Sequence, residues 1–78
     1  MVKHKKIYLD YYGFGEQDFV PCEYTGLRAQ DIHHLNFKSQ GGKDEIENLI
    51  AVTRKVHERA HKDKEFNEYL RELHLKNM

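Results

Sequence analysis

The apolar residues of this chain fall in short clusters separated by turn formers. Residues 5–12 (Lys-Lys-Ile-Tyr-Leu-Asp-Tyr-Tyr) are aromatic and β-branched enough to predict an extended strand, although their spacing also admits a helical turn. Gly13, Phe14 and Gly15 break that segment. Residues 18–22 read as extended, because Pro21 biases Val20 away from helix, and residues 22–26 read as a tight turn. Residues 27–35 alternate, with Leu27, Ala29, Asp31 and His33 on one side, and predict a strand. A loop follows over 36–43, marked by Gly41 and Gly42, and Asp44 with Glu47 suggests a capping box for one helical turn. Residues 49–52 (Leu-Ile-Ala-Val) form an apolar run suited to a second, buried strand paired back on the first. Thr53 can cap a helix over 54–61. Phe66, Tyr69, Leu70 and Leu73 recur at three- and four-residue intervals, which predicts an amphipathic helix over 63–75 that covers the core. The predicted order is an extended N-terminal segment, a hairpin, a helix and a packing helix, an α+β arrangement.

Composition narrows this picture. Seventy-eight residues suit one domain, and a chain of that size buries only about 60% of its unfolded surface, so its core is thin. Charged residues make up 33% and hydrophobic residues 38%, a globular balance rather than a disordered one. No apolar run approaches the roughly 18 residues that a membrane span needs. The basic residues 1–6 have no apolar stretch behind them and do not read as a secretory signal. Cys22 stands alone, which excludes an internal disulfide and suits a reducing cytoplasm.

Lysine plus arginine and aspartate plus glutamate each number 13, so the formal net charge is zero. That argues against a plain nucleic-acid binder, because such affinity comes mostly from basic residues displacing counterions. Any attraction to phosphate must then be local. Lys38, Lys43, Arg54, Lys55, Arg59, Lys62 and Lys64 surround the histidine-rich region in sequence. They form either a phosphate-facing patch or a solvated face of mixed charge.

Four of the six histidines carry the candidate chemistry. His57 and His61 are four apart on the expected helix, so both imidazoles can reach one cation. His33 and His34 are adjacent in a strand and nominally point to opposite faces, a rule that twist or a bulge at the strand end relaxes. Two neighbouring imidazoles plus a helical pair suit one-metal phosphodiester hydrolysis: one ring joins the helical pair on the cation, and its neighbour takes a proton from water. Residues 57–61 also fit the His-Glu-x-x-His pattern of zinc proteases, with Glu58 as base. The longer form of that pattern requires glycine at 64 and histidine at 67, where this chain has Lys64 and Asn67. A protease would also leave His33, His34 and Asn48 without a role.

Taken in order, Cys22-Glu23-Tyr24-Thr25-Gly26, Asp31-Ile32-His33-His34, Gly41-Gly42, Asn48-Leu49 and Val56-His57 through His61 closely resemble the HNH endonuclease family. Its core is the ββα-metal finger, here spanning residues 27–61, with the whole chain as one HNH-like domain. The resemblance implies that His33, His57 and His61 ligate one divalent cation and that His34 is the general base. It further implies that Asn48 braces the loop and the base between the strands. Asp31 resembles a carboxylate that orients a ligating imidazole, and Arg54, three residues before His57, could hold a phosphate oxygen. Imidazole donors favour zinc, nickel or manganese over magnesium, but the resemblance does not choose among them. The implied function is metal-dependent DNA cleavage, with double-stranded DNA as partner, a protein partner compatible, and a bacterial or phage cytoplasm as setting. The alternative is a nucleic-acid-binding or accessory module of the same fold with little activity alone.

One departure stands out. Many members carry two Cys-x-x-Cys pairs that bind a structural zinc, and the corresponding positions here are Cys22, Thr25, Thr53 and Val56. A zinc site needs four suitable donors, so no structural zinc is expected. Cys22 should instead pack as a small apolar residue near Val56, with the N-terminal aromatic segment and the last helix supplying the stability.

Overall fold

The computed structural model describes residues 3–37 and 41–78, and Leu49, Ile50, Ala51 and Val52 lie at its centre with 0% exposure. These four residues form strand β2 (Leu49–Val52), which pairs antiparallel with β1 (Asp31–His34). The register sets Asp31 against Val52, Ile32 against Ala51, His33 against Ile50 and His34 against Leu49. Successive strand residues face opposite ways, so a strand apolar at every position must be covered on both faces. On one face Ile50 and Val52 pack with Cys22, Leu35, Val56, Ala60, Phe66 and Leu70. On the other, Leu49 and Ala51 pack with Tyr8 and Leu9.

That second face explains the first correction. The N-terminal segment expected to be extended is helix α1, Lys3–Tyr12. Tyr8 and Leu9 are adjacent in sequence and both buried. In a strand they would point apart, whereas neighbours on a helix are about 100° apart and can enter the same interface. Strand propensity in the tyrosines gives way to the need to cover β2.

The remaining elements follow local signals more closely. The Thr53 hydroxyl accepts a hydrogen bond from the Val56 N–H and starts α2, Arg54–Lys62. Asp63 closes α2 by donating its N–H to the Arg59 carbonyl, and its carboxylate accepts from the Phe66 N–H to open α3, Lys64–Asn77. Strand β1 is shorter than the expected span over 27–35: Leu27 is 65% exposed, and only an isolated Pro21–Arg28 bridge precedes the hairpin. The turn before it closes through Gly26 N–H to the Cys22 carbonyl, with Gly26 at φ 79°, a conformation that glycine adopts without a Cβ penalty. A single 3₁₀ turn, Ile46–Asn48, stands where one helical turn was expected, but the capping box does not form. Glu45 occupies the cap position without a side-chain bond, and Asp44 is drawn away to His34. Cys22 and Val56 share the larger core cluster, as the sequence suggested. No helix among the described residues is long and apolar enough to cross a membrane.

The apolar stripe of α3 contains two polar residues that the periodicity did not flag, Asn67 and His74, both buried. His74 is 0% exposed and clamps four segments together. Its Nδ1 lies 2.9 and 3.0 Å from the Glu23 carboxylate oxygens, and its Nε2 lies 2.6 Å from the Ile46 carbonyl. Tyr8 and Asn77 donate to the same carboxylate, at 2.7 and 3.1 Å. Both partners of the ring are acceptors, so both ring nitrogens donate and the ring is an imidazolium. Burial alone would lower the His74 pKa, but the Glu23 carboxylate and the Ile46 carbonyl outweigh it and hold the pKa above the usual value. A histidine with a raised folded pKa adds stability that is complete below its unfolded pKa and is lost as pH climbs through the folded one. Urea unfolding should therefore show stability declining as pH rises from about 6.5, and His74→Gln should flatten that decline. Removing one partner of a buried pair costs about 3 kcal/mol, so His74→Leu should be weakened by that order near pH 6; an unchanged midpoint would refute the clamp.

Candidate metal centre and base

His33 and His34 obey strict strand alternation, and no bulge reorients them. His33 lies opposite Ile50 and so faces α2 and α3; His34 lies opposite Leu49 and so faces α1. The expected relaxation at the strand end is unnecessary. An open pocket of about 420 Å³ at the edge of the hairpin is lined by both, together with His4, Ile32, Phe37, His57 and His61.

On the α2 side, His33, His57 and His61 each present one ring nitrogen, all within 4.8 Å of one another. His57 and His61 sit one turn apart on α2, and their Nε2 atoms are 3.1 Å apart. Asp31, paired opposite Val52, lies 3.0 Å from His57 Nδ1. A carboxylate only accepts, so His57 carries its proton on Nδ1 and turns the Nε2 lone pair toward His61. The Arg54 guanidinium bonds the same carboxylate through Nε and Nη2 at 3.4 and 3.2 Å, while its side chain stays 63% exposed. Partial burial would raise the Asp31 pKa, but Arg54 and His57 override it and hold the carboxyl below its ordinary range.

His33 is oriented by a residue that the sequence reading had set aside. Its Nε2 lies 2.8 Å from Asn67 Oδ1, and Asn67 Nδ2 donates to the Leu35 carbonyl at 2.8 Å. The second bond fixes which way the amide points. Nε2 of His33 therefore donates, and Nδ1 keeps the lone pair. Burial and the neighbouring histidines push the His33 pKa down to about 4, against the Asn67 hydrogen bond. The ring is neutral at physiological pH, the state in which imidazole binds a metal. Phe37 stacks on His61 at a 14° interplanar angle, with centroids 4.5 Å apart, and meets His33 edge-on.

On the α1 side, His34 Nε2 lies 2.7 Å from Asp44 Oδ1, and its ring centroid lies 4.7 Å from that of His4. Both His34 and Asp44 are largely buried, with side chains 15% and 13% exposed. Asp44 accepts, so Nε2 of His34 donates. Asn48 holds the intervening loop at both ends: Oδ1 accepts from the Asn36 N–H at 2.6 Å, and Nδ2 donates to the Asn36 and Lys43 carbonyls at 3.1 and 3.0 Å. Gly42 packs so closely there that a Cβ would overlap the Asn36 carbonyl oxygen.

Of the anticipated basic patch, Lys38 lies outside the described residues. Lys43, Arg54, Lys55, Arg59, Lys62 and Lys64 are exposed. Arg59 lies over the Phe66 ring at 3.9 Å, whereas Lys62, Lys64 and Arg71 line a hollow that also contains His61. His4, Asp44, Asn67 and Phe37 all line or orient the site without having been singled out for it. Asp44 looked like a helix cap, and Asn67 looked only like a missing histidine. The one available signal for Asn67 was its position beside Phe66 and Leu70 on the stripe of α3.

A family model described as HNH endonuclease matches residues 21–63, more than half of the chain. The chain belongs to the HNH endonuclease family. No curated protein and no solved structure matches it. Family membership brings nuclease or nucleic-acid-related activity, and the matched span holds the hairpin, α2 and four of the pocket histidines. Helix α1 and the whole of α3, with His4, Asn67 and His74, lie beyond it. At the positions where many HNH members place zinc-binding cysteines, the Thr25 N–H donates to Cys22 Sγ at 3.4 Å. Burial would raise the Cys22 pKa, but this contact and those from Thr53 and Tyr24 lower it overall.

Because Asn48 ties the loop through three bonds, Asn48→Ala should destabilise the fold by about 2–3 kcal/mol. Hydrogen exchange at the Asn36 amide should also accelerate in that variant. A variant with wild-type exchange there would show that the loop is held by other contacts.

Proposed function

We propose that this HNH chain is a metal-dependent endonuclease that hydrolyses phosphodiester bonds in double-stranded DNA. In this reading His33, His57 and His61 hold a single divalent cation, and His34 is the general base. The observation that supports it most is the set of three imidazoles whose ring nitrogens lie within 4.8 Å of one another, beside a fourth, His34, held by Asp44. The donor set fits a cation: three nitrogen ligands with an open position match the ligand set of catalytic rather than structural sites. When bound, the cation supplies charge neutralisation at the scissile phosphate and the departing oxygen.

The chain's own groups do the rest. Asp31 fixes the His57 tautomer, and Asn67 fixes that of His33. Asp44 holds the Nε2 proton of His34, so that Nδ1 accepts the proton of the attacking water. Asn48 keeps the loop that carries Asp44 against the hairpin. Arg54, already anchored on Asp31 and largely exposed, offers its remaining N–H groups to a phosphate oxygen. Lys62, Lys64 and Arg71, in the hollow beside His61, are suited to neighbouring phosphates. The zero net charge favours a second reading, an accessory module of the same fold that binds nucleic acid but cuts poorly alone.

Relaxation of supercoiled plasmid, with magnesium, manganese, nickel and zinc supplied in turn, separates these readings. His34→Ala should lower the rate by about 10²–10⁴-fold, the usual contribution of a general base, and persistence of full activity would remove His34 from that role. Glu58→Ala should leave cleavage largely intact, whereas it would abolish a protease. No cleavage with any of these ions would favour the accessory module.

A further inference from the structure

The geometry points to a second divalent-cation site, formed by His4, His34 and Asp44 on the α1 side of the hairpin, that switches the chain off when filled. Each of these residues presents one donor atom, and the three atoms lie within 4.8 Å of one another. All three are only partly exposed, so the cluster is built into the fold rather than spread over a surface. Helix α1 positions His4: one turn before the buried Tyr8, it shares the face that packs on the hairpin and brings its ring to 4.7 Å from that of His34. The loop held by Asn48 brings Asp44 from the other side, 2.7 Å from His34 Nε2. Donors around a tetrahedral zinc-like ion stand about 3.3 Å apart, so His34 and Asp44 need to part by about 0.6 Å to exchange the shared proton for an ion. Two imidazoles and a carboxylate select a zinc- or nickel-like cation over magnesium.

The consequence for activity rests on the proposed nuclease reading. A neutral imidazole has one N–H and one lone pair. If an ion takes the His34 lone pair, at either nitrogen, the ring's proton must sit on the other and none of the ring is left to accept a proton from water. The cation in the first site would support cleavage, and a second would stop it. His4 lies outside the matched family span, so this control belongs to α1 rather than to the finger.

Zinc titration calorimetry on the full chain tests the site independently of catalysis. Wild type should bind two ions, His4→Ala one, His57→Ala one, and the His4→Ala/His57→Ala double variant none, with circular dichroism checking that each is folded. Asp44→Asn gives a second route to the same loss should His4→Ala fail to fold. A single ion in wild type, or a second ion indifferent to His4→Ala, would overturn the site. In plasmid relaxation, zinc beyond one equivalent should slow wild type about a hundredfold, the order of a lost general base, and His4→Ala should lack that decline. A wild-type decline that persists in His4→Ala would overturn the switch. Two bound ions with no cleavage at any zinc level would sink the nuclease reading and the switch, but leave the binding site standing.

Discussion

Strand alternation at His33 and His34 is the constraint on which the site depends. Two adjacent imidazoles in a strand point to opposite faces of the sheet, and β2, apolar at every position, obliges the chain to build structure on both. Helices α2 and α3 meet His33, and α1 meets His34. The proposed division of labour between a metal-binding ring and a basic ring would therefore be a consequence of sheet geometry. A one-residue slip in the β1–β2 register would move His33 off the face shared with His57 and His61. That register is fixed by the same four buried side chains that lie at the centre of the core.

The chain also shows how an HNH finger can be braced by protein contacts at its knuckle. The turn carrying Cys22 is held from within by N–H groups directed at the sulfur. From outside, Glu23 of the same turn receives hydrogen bonds from Tyr8 on α1 and from His74 and Asn77 on α3. A buried charge pair by itself is weak evidence for stability, since desolvation offsets much of the attraction. What counts here is connectivity: a single carboxylate fixes the first and last helices to the knuckle, and His74 adds the 3₁₀ turn through the Ile46 carbonyl. Elements outside the matched family span thus hold the element within it.

Much of this was legible in the sequence because its signals are local. The 49–52 run, the Thr53 cap and the spacing of His57 and His61 each act over a few residues, and each appears where expected. The failures were of a different kind. Residues 5–12 carry strand-like composition, and only the uncovered face of β2, some forty residues away, makes them helical. Asp44 had two uses compatible with its neighbours, capping a turn or meeting a histidine, and the choice depends on where β1 ends. Asn67 and His74 occupy apolar-stripe positions that hydrophobic periodicity cannot credit, because their hydrogen-bond partners come from distant segments. Within the site, the four histidines were readable from motif spacing. The groups that set their tautomers came partly from outside the motif.

Those tautomers connect the architecture to the charge balance. Asp31 and Asp44 each hold one nitrogen of one imidazole, on opposite faces of the hairpin, and so fix where the remaining lone pair points. Their negative charges work against any broad positive field, and the chain as a whole has none. On the nuclease reading this is consistent rather than contradictory. Imidazoles that gather a dication would introduce positive charge at the reacting phosphate itself, instead of spreading it over a surface where salt screens it. A finger of this kind would bind DNA weakly at a distance and strongly only at the scissile bond. Its affinity would then depend on the supplied ion more than on lysine and arginine count.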